Sequence, residues 1–525
     1  MLKSMRTVFQ SGRTRTFEWR QAQLQAIIKL LDENSEKLTQ ALYQDLHKHK
    51  MESYVMEVNV CRNDTVLYLN KLWDWMKPQK VHKELINKFD DAYIRYEPYG
   101  VTLIIGAWNY PMQLIFLPLA GAIAAGNCVV LKPSELAPNT AAAIEELIPK
   151  YLDSDCVKVV NGGVPETQSL LAERFDLIFY TGNTSVARIV MAAAAKFVTP
   201  VVLELGGKSP VYIDDGVDLN AATRRLVWGK YCNSGQTCVA PDYVMCTPET
   251  QEKLLMKLKE VLDEFYTTDP QTSDSYGRIV NARHFGRIKK LMEGATVALG
   301  GQMDEKDLYI APTVLRDVKL TDPAMQDEIF GPVMPIVPVR DHQEAISIIN
   351  EREKPLAMYV FSTNRDVIRN LKECTSSGAY VVNDTVVHGG VPTLPFGGVG
   401  NSGMGAYHGK FTFDAFSHKR ACLEKSLGLE SVNGLRYPPY TEKKLDWLQW
   451  LMVKKPRRSG ILGFFPFVIL GAVLAIMFKV SLSVCSDLLG RFQQCSAGFF
   501  EKSLRICFFS SWVATVCRMC TESLL

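Results

Sequence analysis

Between residues 100 and about 382, short, largely apolar runs alternate with amphipathic stretches, and no feature of the chain constrains its fold more. Residues 101–106, 128–131, 157–160, 177–180 and 201–205 each form such a run. Near-continuous apolar runs, rather than runs apolar at every second position, belong to strands buried on both faces. A helical stretch at 186–196 sits between two of them, so the pattern predicts a mostly parallel sheet covered by helices. A second series from Val211 to about Val382 includes 244–246, an amphipathic helix at 250–265 and 358–361, and predicts a second α/β domain. Upstream, Leu24, Ile27, Ile28, Leu31 and Leu38 recur at helical spacing within 13–75, which reads as a helical block. A length of 525 residues accommodates several such units.

Charge removes one class of function. Lys and Arg total 59 against 56 Asp and Glu, and a net +3 over this length gives no electrostatic footprint for nucleic acid. The N-terminus Met-Leu-Lys-Ser-Met-Arg-Thr carries no apolar signal run, and the 13 cysteines are irregularly spaced, so the main body is expected in the reducing cytosol. The C-terminus differs in composition. Residues 461–478 form an uncharged apolar run, preceded by Lys454, Lys455, Arg457 and Arg458 and followed by Lys479. At 1.5 Å per residue an 18-residue helix of this kind covers roughly 27 Å, enough for a thin bilayer. A helix apolar on all faces outside a domain core is expected to span the membrane, with its basic flank in the cytosol. Trp447, Leu448, Trp450 and Leu451 suit an interfacial collar before it. Another 46 residues follow Lys479, with five cysteines and an apolar run at 506–517 too short to cross. No role is assigned to them.

Two glycine motifs mislead. Gly398-Val-Gly400-Asn-Ser-Gly403 spells a dinucleotide fingerprint, yet no strand precedes it and no helix with a following acidic ribose ligand is expected after it, so a glycine-rich loop is the better reading. Gly206-Gly207-Lys208-Ser209 hints at a nucleotide-triphosphate loop, but Val202 stands where its first glycine belongs.

The informative segments are Leu203-Glu204-Leu205-Gly206-Gly207-Lys208-Ser209-Pro210 and Asn233-Ser234-Gly235-Gln236-Thr237-Cys238. They set a carboxylate just after a strand and a cysteine some thirty residues later, the equipment for covalent catalysis by a thiolate with a separate base. With Trp108-Asn109-Tyr110-Pro111, Lys132-Pro133-Ser134-Glu135, Glu328-Ile329-Phe330-Gly331-Pro332 and Pro395-Phe396-Gly397-Gly398, the chain resembles the aldehyde dehydrogenase superfamily over residues 5–435. Leu-Ile-Ile-Gly-Ala-Trp-Asn-Tyr-Pro and Phe-Gly-Gly-Val-Gly-Asn-Ser-Gly-Met-Gly-Ala-Tyr-His-Gly bring it nearest the short-N-terminus, class 3-like branch, which includes a membrane-anchored fatty aldehyde dehydrogenase.

That resemblance implies an α/β fold with a Rossmann-like cofactor domain (1–82 and 100–207), a catalytic α/β domain (208–390) and a β-arm for oligomerisation (83–99 and 391–436). A pre-membrane segment (437–460), a transmembrane helix (461–479) and a tail (480–525) follow. It implies Cys238 as nucleophile, Glu204 as general base and Asn109 as oxyanion donor, with the cofactor held by Trp108, Lys132, Glu135, Gly182, Asn183, Thr184, Ser185, Val186, Ala187, Glu328 and Phe330. Lys132 and Glu135 match the residues of the adenosine ribose, Glu328 and Phe330 those of the nicotinamide end, and 181–187 the turn facing the pyrophosphate. Ala187 stands where the family usually has glycine. The implied activity is NAD- or NADP-dependent oxidation of medium- to long-chain aldehydes, with no metal. The implied setting is a homodimer anchored in the endoplasmic reticulum membrane and facing the cytosol, the peroxisomal membrane being the other candidate. The rival readings are a coenzyme A-acylating dehydrogenase and a non-catalytic protein that retains the fold.

Overall fold

The computed structural model describes residues 1–84, 87–428 and 430–453, in two compact units that divide after Ser426. The first unit opens on helices Leu2–Gln10, Phe17–Leu46, Lys50–Ser53 and Asn59–Met76, with a π-helical turn at Tyr54–Val58 between the last two. Thr16 caps the longest of them, its hydroxyl accepting from the Trp19 backbone N–H at 3.2 Å. Leu24, Ile27, Leu31 and Leu38 are buried along one stripe of that helix, as their spacing predicts.

Beneath this block lies a six-stranded sheet. Strands Val201–Leu205, Leu177–Gly182, Val101–Ile105, Cys128–Lys132 and Val157–Val159 follow in that order, all parallel, and Gly403–Met404 runs antiparallel along the outer side of the first. Every residue of Val101–Ile105 and of Cys128–Lys132 is buried, which is why these strands read as near-continuous apolar runs. The helix Gln113–Ala125 is buried from Leu114 to Ala125, and its C-terminal Ala124 carbonyl accepts from the buried Arg20 guanidinium at 3.0 Å. Because the chain leaves Val101–Ile105 toward one neighbour and later returns on its other side, the C-terminal ends of Val101–Ile105 and Leu177–Gly182 flank a crevice where doubly wound sheets bind ligands.

The second sheet has seven strands, Thr296–Leu299, Thr313–Arg316, Val333–Pro338, Tyr243–Cys246, Pro210–Ile213, Ala357–Phe361 and Ala379–Val382, parallel throughout except for the first pair. A third, of three antiparallel strands, joins Gln79–Lys80 to Asp91–Pro98 and Asp91–Pro98 to Ser417–Glu424. Of the residues 391–436 expected as arm, Ser417–Glu424 lies in this outer sheet, whereas Gly403–Met404 extends the six-stranded one.

The second unit holds the helix Glu442–Met452, capped by Thr441, with Trp447 and Trp450 exposed and edge to face at 5.9 Å. Among the described residues no helix is long and apolar enough to cross a membrane. The run 461–478 expected to span it, the apolar stretch 506–517 and the five tail cysteines lie outside the described residues.

Candidate active site

The expected site residues come from the C-terminal ends of strands in the six-stranded sheet and from two loops of the second, one carrying Cys238 and one carrying Glu328 and Phe330. Glu204 is next to last in Val201–Leu205, pairs in register with Thr181 and Gly403, and is only 2% exposed. Its Oε1 has no hydrogen-bond partner among the described residues. Burial pushes its pKa up to about 8, and a hydrogen bond with the Cys238 thiol offsets part of that rise. Cys238 as a residue is half-buried, and the pKa of its thiol is driven well above the usual range by desolvation first and then by the Glu204 and Glu328 carboxyls. Burial thus favours the uncharged form of both Cys238 and Glu204, and the hydrogen bond between them gives a proton a path from one to the other.

The loop carrying Cys238 is backbone-strained. Helix Leu219–Tyr231 ends, and the chain reverses through Asn233, Ser234 and Gly235, all with left-handed φ of 52°, 52° and 74°. For the two non-glycine residues this costs on the order of 1–3 kcal/mol each and persists only where surroundings dictate it. Those surroundings are side chains. The Asn233 amide donates to the Asn109 and Gln236 carbonyls at 2.8 and 3.1 Å. The Gln236 amide donates to the Arg278 carbonyl at 2.9 Å and its oxygen accepts from the Val280 N–H at 3.0 Å. Tyr110 and Thr237 hydroxyls meet at 2.9 Å. Gly235 has a further reason, since a Cβ there would sit 2.2 Å from the Gly331 carbonyl oxygen. These bonds stitch the Trp108–Pro111 segment to the Cys238 loop. Asn109 is buried, and its hydrogen bonds among the described residues run through its backbone carbonyl, which leaves the side-chain amide free to donate to a ligand.

Glu328 arrives from the far side, its carboxyl against Gly206, where a Cβ would lie 2.1 Å from Oε2. Burial and the Asp242 carboxylate push its pKa up to about 8. Trp108 faces Phe330 edge-on at 5.3 Å and His284 at 4.9 Å. At the crevice, Lys132 ends its strand 2% exposed, its ammonium donating to the Pro133 carbonyl at 2.7 Å and to Glu135 at 3.4 Å. Asn183 caps the helix Thr184–Ala195 by accepting from the Val186 N–H at 2.9 Å, so that helix opens directly onto the end of strand Leu177–Gly182. The Thr181 hydroxyl beside it is buried without a partner among the described residues. A buried ammonium with an adjacent carboxylate, a helix N-terminus and an orphaned hydroxyl at a switch point fit a dinucleotide: donors and acceptors for a ribose diol, and partial positive charge for a pyrophosphate.

The sequence matches the aldehyde dehydrogenase family over residues 1–422. It is 53% identical to aldehyde dehydrogenase family 3 member B1 of Rattus norvegicus over 454 residues, 86% of this chain and 97% of that protein. It is 50% identical to family 3 member A2 of Mus musculus over 478 residues, 91% and 99% of the two. The substrate-bound structure of Staphylococcus aureus AldH superposes with a TM-score of 0.83 at 40% identity, covering 85% of this chain and 98% of that one. The Mycobacterium tuberculosis aldehyde dehydrogenase complexed with NAD+ superposes with a TM-score of 0.72 at 26% identity, covering 81% and 89%.

The chain belongs to the aldehyde dehydrogenase family. It is an enzyme of NAD(P)-dependent aldehyde oxidation.

Within this aldehyde dehydrogenase both misleading motifs resolve as read. Residues 206–209 lead from one strand directly into the next, Pro210–Ile213, with no helix to cradle phosphate. The 398–403 glycines follow no strand and open only the three-residue 3-10 turn Gly400–Ser402. Ala187 lies in the second turn of a helix, its N–H bonded to the Asn183 carbonyl at 3.1 Å, so the backbone there has no need of glycine.

Other residues of this aldehyde dehydrogenase escaped the sequence reading. Arg287 donates to the carbonyls of Glu328 and Ile329 at 3.1 and 2.6 Å. Lys208 donates to the carbonyls of Ala324 and Asp327 at 2.7 and 3.0 Å and pairs with Asp242, whose other oxygen accepts from the Ile329 N–H at 2.9 Å. These three hold the loop that carries Glu328 and Phe330. Lys208 was visible only as part of a motif, and Arg287 and Asp242 had no local signal at all.

Proposed function

We propose that this aldehyde dehydrogenase oxidises medium- to long-chain aliphatic aldehydes to carboxylic acids, with Cys238 as nucleophile, Glu204 as general base and Asn109 as oxyanion donor. The observation that carries the mechanism is the contact between the Cys238 thiol and a buried carboxyl raised to about 8. An aldehyde hydrogen departs with its electron pair only when an oxyanion on the same carbon expels it. The Cys238 sulfur supplies that oxyanion by adding to the carbonyl carbon, its proton leaving to solvent, directly or by way of Glu204 in its deprotonated form. The Asn109 amide, with the Cys238 backbone N–H, stabilises the charge on the former carbonyl oxygen. Lys132, Glu135, Glu328, Phe330, Trp108 and the Gly182 to Ala187 turn are the residues that would hold the cofactor, whose oxidised nicotinamide would supply the hydride acceptor. Hydride loss leaves a thioester on Cys238. Glu204, deprotonated, takes a proton from a water that attacks the acyl carbon, the carbon–sulfur bond breaks, and the acid departs. The net change is aldehyde, oxidised cofactor and water to acid, reduced cofactor and a proton.

A base poised to activate water weighs against a coenzyme A-acylating enzyme, whose thioester passes to a thiol. The lipophilic substrate class draws its support from the apolar run at 461–478 and its basic flank. Each methylene adds about 0.8 kcal/mol of preference for an apolar phase, so a tethered enzyme meets long-chain aldehydes at high local concentration. The setting that follows is the endoplasmic reticulum membrane with the catalytic unit in the cytosol, and the outer sheet built on Ser417–Glu424 is the element for a homodimer. NADH formation by the full-length protein in detergent, across a straight-chain aldehyde series, tests the reading. Activity that rises with chain length supports the lipid assignment; a falling series overturns it while leaving the mechanism standing.

A further inference from the structure

Helix Phe17–Leu46 ends at His47, in the left-handed region with φ 54°, and turns the chain inward at Lys48. The Lys48 ammonium is fully buried, 2.6 Å from Glu57 Oε1, 3.1 Å from the Asn109 carbonyl oxygen and 4.2 Å from the Tyr110 ring centre. Glu57 lies in the π-helical turn Tyr54–Val58, and its Oε2 accepts from the backbone N–H groups of Met112 and Gln113 at 3.0 and 3.2 Å. Five residues earlier, Glu52 Oε1 accepts from the Asn233 N–H at 2.8 Å and the Cys232 thiol at 3.3 Å. The Asn233 side chain closes the circuit at the same Asn109 carbonyl, 2.8 Å away.

We propose that Lys48, Glu57 and Glu52 are positioning residues, a bracket on the N-terminal helices that sets the Asn109 side-chain amide against Cys238. The proposal rests on the roles given above to Asn109 and Cys238. Lys48 and Asn233 occupy both lone pairs of the Asn109 carbonyl, which fixes the plane of the peptide that follows. Glu57 pins the next turn through Met112 and Gln113, so the backbone on the C-terminal side of the Asn109 Cα is held at two successive points. Glu52 grips the strained Asn233 on the nucleophile's loop. Oxyanion donors act only when pre-set to within tenths of an ångström, and this circuit ties donor and nucleophile to one rigid corner. Stability alone explains it poorly. A fully buried ion pair contributes little or nothing over apolar side chains of the same volume, and π turns inserted in α-helices recur at functional sites.

The test uses the full-length enzyme with variants Lys48→Met, Asn109→Ala and their combination. The readouts are kcat, KM for NAD, and the rate at which iodoacetamide alkylates Cys238, followed by peptide mass spectrometry. Alkylation needs an accessible thiol but no oxyanion donor. The bracket predicts that Lys48→Met lowers kcat about 10- to 100-fold, with KM for NAD and alkylation within about twofold of wild type. It also predicts that adding Lys48→Met to Asn109→Ala costs less than about a further twofold, because the group being positioned is gone. Losses that multiply, or alkylation that falls in step with kcat, would show a general structural role and overturn the bracket. An Asn109→Ala enzyme of full activity would instead sink the oxyanion assignment beneath it; full activity in Lys48→Met beside a slow Asn109→Ala would sink the bracket alone. If Lys48→Met does not fold, Glu57→Gln, which keeps the shape and removes the charge, is read by the same criteria.

Discussion

The two ends of the site are built by different means. At the crevice, Lys132 and the Asn183 cap of the Thr184–Ala195 helix take their places from strand ends, with partners one to three residues away, and the one distant side-chain bond among the described residues is from the Thr184 hydroxyl to the Asn401 carbonyl. Around Cys238, the proposed nucleophile, Asn233, Gln236 and Asn109 are held by Glu52, Arg278 and Lys48, residues 42 to 181 positions distant. The first arrangement follows mainly from a parallel sheet; the second needs three separate parts of the chain to be folded before a strained loop is stable. Chemistry that depends on tenths of an ångström sits where the constraints are most distributed, and binding that tolerates more sits on local structure.

Substitutions that remove the reacting groups should have the largest effects. Cys238→Ser should lower NADH formation at least about 10⁴-fold without altering NAD binding measured by fluorescence quenching, since a serine hydroxyl beside a weak base is a poor nucleophile. Glu204→Gln should reduce turnover about 10²- to 10⁴-fold. In the proposed mechanism the base is the deprotonated form, and burial pushes the Glu204 pKa up to about 8, so the wild-type rate should rise with pH through about 8, and that limb should disappear in the variant. A wild-type rate flat from pH 6 to 9 would remove Glu204 from the base role. Asn109→Ala should cost about 10²- to 10³-fold in kcat with little change in KM for NAD.

The crevice should respond differently. Lys132→Met removes a buried ammonium that holds its strand end, and should raise KM for NAD about 10- to 100-fold while sparing kcat at saturation. If kcat fell as far as in Asn109→Ala, the contrast between the two ends would collapse. Smallest is Ala187→Gly, which restores the family's usual residue. A glycine in a helix interior costs about 1 kcal/mol, so the thermal midpoint should drop by a few degrees with KM for NAD unchanged. A lower KM would mean that the Cβ at 187 obstructs the cofactor.

Legibility in the sequence follows the same division. Strands buried on both faces announce themselves as apolar runs, and Val201–Leu205 is found where its residues predict. Cys238, Glu204, Asn109 and Asn183 are legible as candidates because each sits in a short motif resembling a known family, whereas the cap that Asn183 makes is seen only in the structure. Lys48, Glu52, Glu57, Arg287 and Asp242 were missed because their meaning is the distant carbonyl or N–H they reach, and a buried ion pair has the same spacing as a solvated one. The placement of Gly403–Met404 in the six-stranded sheet was also unreadable, since two residues carry no periodicity.

The thioester on Cys238 is the central claim, and trapping it is the most direct test. Glu204→Gln enzyme, mixed with NAD and a long-chain aldehyde and quenched in acid, should carry one acyl group, located by mass spectrometry on the peptide containing Cys238. Its yield should match the first burst of NADH. A burst of NADH with no acyl group on that peptide, or with the group on another residue, would contradict the account.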